Sequence, residues 1–262
     1  MDGLSTLRTA APPRTGRGGW CVRWKAAPRA RLRLFCAPHA GAGAGVYRAW
    51  AERLAPGIEV VALRPPGRET RYGEPVPTSI AETVPAVLAE IEDWLDAPYA
   101  WFGHSLGALV AFECCRALAG RGAPPPHRLL VSGRPAPQLP SRLPPFHALP
   151  DAQLAELMRE YGGTPLEVLD DPSALAVLLP VLRADLTASE TYRYRPGAAL
   201  DCPLSVFGGR DDRFADPRDV AAWSVHSRST AVVRLLPGSH FFLHERPERI
   251  LPLIVRDLAA AR

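Results

Sequence analysis

The sequence predicts an α/β fold with a mostly parallel central sheet, helices on both faces of that sheet and one helical insertion. Short apolar runs of strand length alternate with helical patterns along most of the 262 residues. Strands separated by helices pair in parallel, so the helices cover both faces of the sheet. The alternation stops over residues 134–194, where a proline-rich loop is followed by helical patterns. We expect this insertion to be a mobile lid over a site rather than a second domain.

Six short apolar runs are predicted to be strands: residues 31–37, 58–63, 99–103, 129–132, 203–207 and 231–235. Four segments with helical periodicity are predicted to be helices: residues 46–54, 79–95, 106–120 and 247–261. In the second of these helices, apolar residues recur at spacings of three and four. Ser79 precedes Glu82 by three positions, which is the spacing of a capping box at the start of that helix.

Charge is distributed unevenly along the chain. The net charge is +4, yet residues 1–33 carry eight basic side chains and one acidic one, so the remainder is net negative. We expect residues 1–25 to be a flexible basic tail and residues 26–262 to be a single domain. The remainder lacks a basic run with interleaved aromatic residues, so we expect no nucleic-acid partner.

The sequence lacks the signals that are typical of membrane-spanning, secreted and metal-binding proteins. The sequence has no run of 18 apolar residues, and its first twenty residues lack the apolar block of a secretory signal. We therefore expect a cytoplasmic protein that has no membrane partner and keeps its five cysteines reduced. Cysteine, histidine and acidic residues show no metal-ligand spacing, so neither a metal nor a cofactor is predicted. We also expect the protein to be a monomer.

A candidate nucleophile lies between the third predicted strand and the helix that follows it. Residues 103–107 (GHSLG) match the pattern G-x-S-x-G, which is common enough by chance to be weak alone. The strand–turn–helix context strengthens the match, because it is the setting of a nucleophile elbow. Ser105 would then sit at a helix N-terminus, where the helix dipole favours developing negative charge. The alternative is an ordinary turn with a capping serine.

A serine nucleophile needs a base and a carboxylate that orients the base. In this architecture the chain order is serine, then acid, then histidine, with the acid after a later strand. The turn after strand 203–207 contains Asp211 and Asp212. The spacing G-x-x-D from Gly209 favours Asp212 as the acid.

The turn after strand 231–235 places His240 directly behind the sequence P-G-S. This position at the carboxyl end of a strand favours His240 as the base. His244, four residues later, is its closest rival. His39 and His104 come before or beside the serine and do not fit the chain order, and His226 is expected to be a solvated surface residue.

An oxyanion hole needs two backbone N–H groups. Leu106, directly after the serine, supplies one, and Ala40 in the loop after the first strand is the candidate for the other. The glycine-rich residues 41–45 superficially match a dinucleotide loop. The third glycine is one position early and no acidic residue ends the next strand, so a nucleotide cofactor is not predicted.

Taken together, these segments resemble the type II thioesterases, the free-standing editing hydrolases of polyketide and nonribosomal peptide synthesis. The resemblance covers residues 31–258 and depends most on residues 37–41 (APHAG), 64–68 (RPPGR), 103–107 (GHSLG) and 237–242 (PGSHFF). Residues 161–165 (YGGTP) and 182–185 (LRAD) are similar to the lid of that family.

The resemblance implies an α/β-hydrolase fold. It also implies hydrolysis of acyl groups from the phosphopantetheine arm of acyl or peptidyl carrier proteins, which edits or regenerates stalled synthases. It assigns the triad to Ser105, Asp212 and His240, and the oxyanion donors to Ala40 and Leu106. The alternatives are a carboxylesterase or a chain-terminating fatty-acyl thioesterase on the same fold, and a non-catalytic interaction module.

An acidic carrier would need a local basic patch, because the chain beyond residue 33 is net negative. Arg64, Arg68 and Arg71 surround the loop after the second predicted strand. Arg134 and Arg142 lie where the insertion begins. We expect these arginines to be exposed and to dock the carrier.

Overall fold

A computed structural model describes residues 19–260 of the chain. The strands are β1 (Cys21–Val22), β2 (Leu32–Ala37), β3 (Ile58–Leu63), β4 (Tyr99–His104), β5 (Leu129–Ser132), β6 (Leu204–Gly209) and β7 (Ala231–Leu236). The α-helices are α1 (Arg48–Leu54), α2 (Ile80–Ile91), α3 (Leu106–Gly120), α4 (Asp151–Tyr161), α5 (Leu166–Leu169), α6 (Pro172–Glu190), α7 (Pro217–Ala221), α8 (Phe242–Glu245) and α9 (Pro247–Ala260). Short 3-10 helices occupy Ala44–Tyr47, Glu69–Arg71, Glu92–Trp94, Phe146–Ala148 and Ala222–His226.

The strands of residues 19–260 form one sheet in the order β1-β3-β2-β4-β5-β6-β7. All neighbours pair in parallel except β1, which is antiparallel to β3. The predicted α/β-hydrolase fold is confirmed, and the six predicted strands are present with ends shifted by at most two residues. Helix α2 begins after Ser79, whose hydroxyl accepts the Glu82 N–H at 3.2 Å. It ends at Ile91, where the predicted helix continues as a 3-10 turn.

The start of the chain differs from the expected tail. Residues 1–18 lie outside the described residues. Within residues 19–25, the structure shows a strand and a buried side chain instead of a flexible tail. Cys21 pairs with Leu63 at the edge of the sheet, and Trp20 is buried beside it. Burying a large indole supplies enough apolar area to hold a two-residue strand in place, and a strand that short has no readable periodicity.

The two faces of the sheet bury separate apolar clusters. Leu34 and Phe35 are adjacent in β2 and both fully buried, yet they belong to opposite clusters because strand side chains alternate. Helices α2 and α3 cover the face that contains Phe35, and helices α1 and α9 cover the other. Each fully buried side chain of this size contributes about 1.5–3 kcal/mol relative to an exposed one. The strands β2 to β6 are therefore a rigid base for the loops at their carboxyl ends.

The insertion lies between β5 and β6 and contains α4, α5 and α6. Its own apolar cluster is small, built on Leu154, Leu179 and Leu182. Proline at the first position of α6 follows Asp171, whose carboxylate accepts the Ser173 N–H at 2.8 Å and caps the helix. Thus α6 has a well-defined start and runs for 19 residues beside the body of the protein.

Two further features of residues 19–260 bear on the sequence predictions. None of their helices combines the length and the apolar character that crossing a membrane requires. All five cysteines lie in this part of the chain and are free thiols. Burial raises the pKa of the Cys202 thiol to about 11. A thiol with that pKa is protonated at neutral pH and is a poor nucleophile.

Candidate active site

The predicted strand–turn–helix context of Ser105 is present between β4 and α3. Ser105 has φ 55° and ψ −115°, a strained conformation for a residue with a side chain. Its N–H donates to the Ser132 carbonyl at 2.8 Å. A Cβ on Gly103 would overlap the Gly107 carbonyl, and one on Gly107 would overlap the Ala37 carbonyl. Both glycines of the motif are therefore required by close backbone approach.

The carboxylate of Asp212 is aimed at His240. Asp212 Oδ2 lies 2.8 Å from His240 Nδ1, and both residues are buried. The other oxygen of Asp212 accepts the N–H groups of Phe214 at 2.8 Å and Ala215 at 3.2 Å. An acceptor at Nδ1 keeps the proton on that nitrogen, so Nε2 of the neutral imidazole is left with a lone pair.

Asp211 has a different environment from its neighbour. Its side chain is exposed, whereas Asp212 is buried. The Asp211 N–H donates to the Gly238 carbonyl at 3.1 Å, which ties the turn after β6 to the turn that carries His240. The structure therefore brings Asp212 to His240 and uses Asp211 to hold the two turns together.

Ser105 and His240 line one large cavity of about 1180 Å³. Ala40 lies on the same wall. The insertion supplies much of the apolar surface, through Leu154, Leu157, Met158, Leu178, Leu182 and Leu186. The volume exceeds that of a typical small-molecule site. A long acyl chain or an extended thioester arm fits such a chamber.

The candidate oxyanion donors lie on two different elements. Leu106 is the first residue of α3, so its N–H has no acceptor within the helix. Ala40 lies in the loop after β2, where the next two N–H groups are already engaged. The Gly41 N–H donates to Asp185 Oδ2 at 2.7 Å, and the Ala42 N–H donates to the His39 carbonyl at 3.1 Å. The loop is thus fixed directly after Ala40.

A cluster of imidazoles surrounds the candidate base, which sequence reasoning did not anticipate. The ring centre of His104 lies 4.8 Å from that of His240 and 5.8 Å from that of His39. His244 lies 5.4 Å from His39. Burial lowers the pKa values of His39, His104 and His244, so these three rings are neutral at neutral pH. In residues 19–260, no three His, Cys, Asp or Glu side chains are arranged to hold a metal ion.

One expectation about an individual residue is wrong. His226 is not a solvated surface residue, because it is buried against Phe112 and Trp223. Its Nε2 lies 2.5 Å from Gln138 Oε1. A short helix end can place a polar ring inward when a neighbouring amide satisfies it.

The expectation of an exposed basic docking patch is wrong for the arginines of the loop after β3. Arg64, Arg68 and Arg71 are all buried, and each side chain is satisfied inside the protein. Arg68 forms a two-pronged ion pair with Asp185, at 2.6 and 2.9 Å. Because these cations are needed to satisfy internal acceptors, they are not available to a partner's surface. Arg142 is the exposed member of the expected set, with a side chain about 72% accessible.

The comparisons with known proteins agree on one family. The family model for a thioesterase domain matches residues 32–258. Thioesterase PikA5 of Streptomyces venezuelae is 39% identical over 256 residues, which cover 97% of this chain and 90% of the relative. The gramicidin S biosynthesis protein GrsT of Aneurinibacillus migulanus is 36% identical over 239 residues, covering 91% and 93%. The structure of the type II thioesterase BorB from the borrelidin biosynthetic cluster superposes with a TM-score of 0.85 at 37% identity, covering 91% and 97%.

Proposed function

This chain belongs to the thioesterase family, and on that premise we propose that it hydrolyses acyl groups from the phosphopantetheine thiol of carrier proteins. The carriers would be acyl or peptidyl carrier domains of a polyketide or nonribosomal peptide synthase, and hydrolysis would edit or regenerate a stalled synthase. The similarity over nearly the whole chain to PikA5, GrsT and BorB supports this substrate class.

One observation carries the proposal. A strained serine at a βα turn and a buried aspartate–histidine pair line or adjoin the same large cavity. In the proposed triad Ser105 is the nucleophile and His240 is the general base. Asp212 orients the His240 ring and stabilises the imidazolium that forms when the ring takes a proton. The chain order of the three residues is that of an α/β-hydrolase.

Acylation begins when Ser105 Oγ attacks the thioester carbonyl carbon and His240 Nε2 takes the hydroxyl proton. The carbonyl oxygen becomes an oxyanion that accepts hydrogen bonds from the N–H groups of Ala40 and Leu106. The tetrahedral intermediate then collapses, the carbon–sulfur bond breaks and His240 gives the proton to the departing sulfur. The products are an acyl ester on Ser105 and a free phosphopantetheine thiol.

Deacylation repeats the sequence with water as the nucleophile. His240 Nε2 takes a proton from the water as its oxygen attacks the acyl-Ser105 carbonyl, and the same two N–H groups hold the oxyanion. Breakdown returns that proton to Ser105 Oγ and releases the carboxylic acid. A thiol leaves more readily than an amine, so the site requires less protonation of the leaving group than a protease does.

The proposal is tested by comparing one acyl group on two leaving groups. The substrates are the acyl thioester of a phosphopantetheinylated carrier domain and the ethyl ester of the same acid. We expect kcat/KM to be at least about tenfold higher for the carrier thioester, which corresponds to about 1.4 kcal/mol in the transition state. The acyl thioester of free pantetheine is the matched control for the contribution of the carrier domain.

The same experiment separates the proposal from a carboxylesterase and from a non-catalytic interaction module. A higher kcat/KM for the ethyl ester would indicate a carboxylesterase. Equal values for the carrier and the free pantetheine thioester would mean that the carrier is not recognised. No turnover of any substrate, together with no labelling of Ser105 by a fluorophosphonate, would favour a non-catalytic interaction module.

A further inference from the structure

Asp185 of helix α6 lies at the centre of a buried network that joins three parts of the chain. Its Oδ2 accepts the Gly41 N–H at 2.7 Å and Arg68 Nη1 at 2.6 Å, and its Oδ1 accepts Arg68 Nη2 at 2.9 Å. Arg68 Nη1 also donates to the Ala42 carbonyl at 2.9 Å. The insertion, the loop after β2 and the loop after β3 therefore meet at a single carboxylate.

The network is built to hold its geometry. Asp185 and Arg68 are 6% and 8% exposed, so water does not compete for these hydrogen bonds. A two-pronged pairing of guanidinium and carboxylate fixes both distance and orientation. The partners are 117 residues apart in sequence, and the Gly41 bond spans 144 residues. Such a network maintains the position of the loop after β2 relative to α6.

We propose that Asp185 is a positioning residue for the oxyanion hole, acting through Gly41 and Arg68 on the N–H of Ala40. This inference rests on the proposed function, because it takes Ala40 as an oxyanion donor. The hydrogen bond from Gly41 fixes the peptide directly after Ala40, and Arg68 holds the Ala42 carbonyl one residue further on. Gly41 has φ 78°, so the loop turns sharply there. A shift of the peptide between Ala40 and Gly41 would therefore also move the N–H group of Ala40.

An oxyanion donor stabilises the transition state only when its N–H group is directed at the oxygen that carries the developing negative charge. Removal of one donor from an oxyanion hole lowers kcat by about 10²–10³-fold, and displacement of a donor causes part of that loss. Helix α6 also lines the acyl cavity through Leu178, Leu182 and Leu186. The insertion therefore acts on the chemistry through the backbone of the oxyanion loop in addition to enclosing the acyl chain.

The test compares Asp185→Asn with a matched control, Asp257→Asn. Asp257 is 4% exposed, forms a two-pronged ion pair with Arg234 at 2.5 and 2.7 Å and accepts one further hydrogen bond, from Ser205 at 2.6 Å. It joins α9 to β6 and β7, and like Asp185 it pairs with a guanidinium and accepts one further hydrogen bond, in its case from a hydroxyl. Both substitutions remove one buried charge and leave a guanidinium without its anionic partner, so their costs in folding stability should be similar.

Three quantities are measured at a temperature where both variants give the circular dichroism of the wild type. They are kcat, KM and the inhibition constant of an acyl trifluoromethyl ketone, whose adduct with Ser105 places an oxyanion in the hole. For Asp185→Asn we expect kcat to fall about 30- to 100-fold and KM to change less than about threefold. The affinity for the ketone should fall in parallel with kcat. For Asp257→Asn all three values should stay within about twofold.

The inference is overturned if Asp185→Asn keeps kcat within about threefold of Asp257→Asn, or if kcat falls while the affinity for the ketone is unchanged. Should Asp185→Asn fail to fold, the double variant Arg68→Met with Asp185→Leu removes both buried charges together. It should fold and still lose kcat, because the Gly41 N–H has no acceptor. Full kcat in that variant would also overturn the inference.

Failure of this inference and failure of the proposed function give different results. A wild-type protein that hydrolyses the carrier thioester, with an Asp185→Asn variant of unchanged kcat, rejects the positioning role and leaves the function standing. A wild-type protein that hydrolyses no thioester and whose Ser105 is not labelled by a fluorophosphonate rejects both.

Discussion

The insertion and the body of the protein, meaning the sheet with α1 to α3 and α9, are held together by different forces. The body buries large side chains completely on both faces of the sheet, among them Trp50, Trp101, Phe102 and Phe207. The insertion has a small apolar cluster of its own and contacts the body through polar bonds. Asp185 binds Arg68, and the Tyr192 hydroxyl donates to Glu113 of α3 at 2.6 Å. The body is thus stabilised mainly by apolar burial, and the seating of the insertion combines apolar packing with buried charge.

This difference assigns separate roles to the two regions. Ser105, Asp212 and His240 all lie on turns of the body, at the carboxyl ends of its strands. A rigid base keeps such groups in place while a less stable segment opens. The insertion supplies part of the cavity wall and, through Asp185, one constraint on the loop after β2. Substitutions in the two regions should therefore differ in kind as well as in size.

The largest expected effect comes from the aspartate doublet on the body. Asp212→Asn should lower kcat/KM about 10³-fold, because an amide at this position no longer selects the tautomer of His240 that leaves Nε2 free. Asp211→Asn should change kcat/KM less than about threefold, since that side chain is exposed. Steady-state kinetics on the carrier thioester would measure both. Equal losses would mean that the two carboxylates act as a unit, and a larger loss for Asp211→Asn would move the acid to that residue.

A second prediction compares a core leucine from each region. Leu34→Ala in β2 should lower the free energy of unfolding in urea by about 3 kcal/mol, as expected for a fully buried leucine. Leu179→Ala in α6 should lower it by less than about 1.5 kcal/mol, because we expect the insertion to open while the body stays folded. In the wild type, amide exchange should be faster in α4 to α6 than in β2 to β6. Equal exchange rates would contradict a lid that opens independently.

The smallest expected effect is the contribution of a single buried histidine to the dependence of folding stability on pH. Burial lowers the pKa values of His39, His104 and His244 below the unfolded value of 6.5. Below pH 6.5 the unfolded chain binds protons that the folded chain does not, so stability falls as the pH falls. Each strongly depressed group contributes up to about 1.4 kcal/mol per pH unit. Urea unfolding between pH 7.5 and 5.5 measures the slope, and His244→Phe should flatten it; a flat wild-type profile would contradict neutral buried rings.

The parts of the fold that the sequence predicts are those with local signals. Consecutive apolar residues identify β2 to β6, because strands buried on both faces need them. The glycines at 103 and 107 identify the turn at Ser105, because the backbone passes too close for side chains. The choice of Asp212 over Asp211 follows from one glycine spacing. In each case the physical cause lies within a few residues of the signal.

The parts that the sequence did not predict depend on distant partners. Arg68 was expected at the surface because an isolated arginine prefers water, and the partner that makes its burial favourable is 117 residues away. The imidazoles of His39, His104 and His244 come from the loop after β2, the end of β4 and helix α8, and they carry no shared sequence pattern. Trp20 and the two residues of β1 are too few to form a periodic signal. Long-range pairing of this kind is visible only in the folded chain.

The central claim is that Ser105 on the body removes acyl groups from a carrier, and intact mass spectrometry tests it most directly. A carrier domain loaded with an acyl-phosphopantetheine arm is incubated with wild-type protein and, separately, with Ser105→Ala. With the wild type, the carrier should lose the mass of the acyl group and keep the arm. With Ser105→Ala the acyl group should persist at least about 10³-fold longer, since loss of the nucleophile costs several orders of magnitude. A carrier that stays acylated with the wild type, or one that Ser105→Ala deacylates at more than about a tenth of the wild-type rate, would contradict the account.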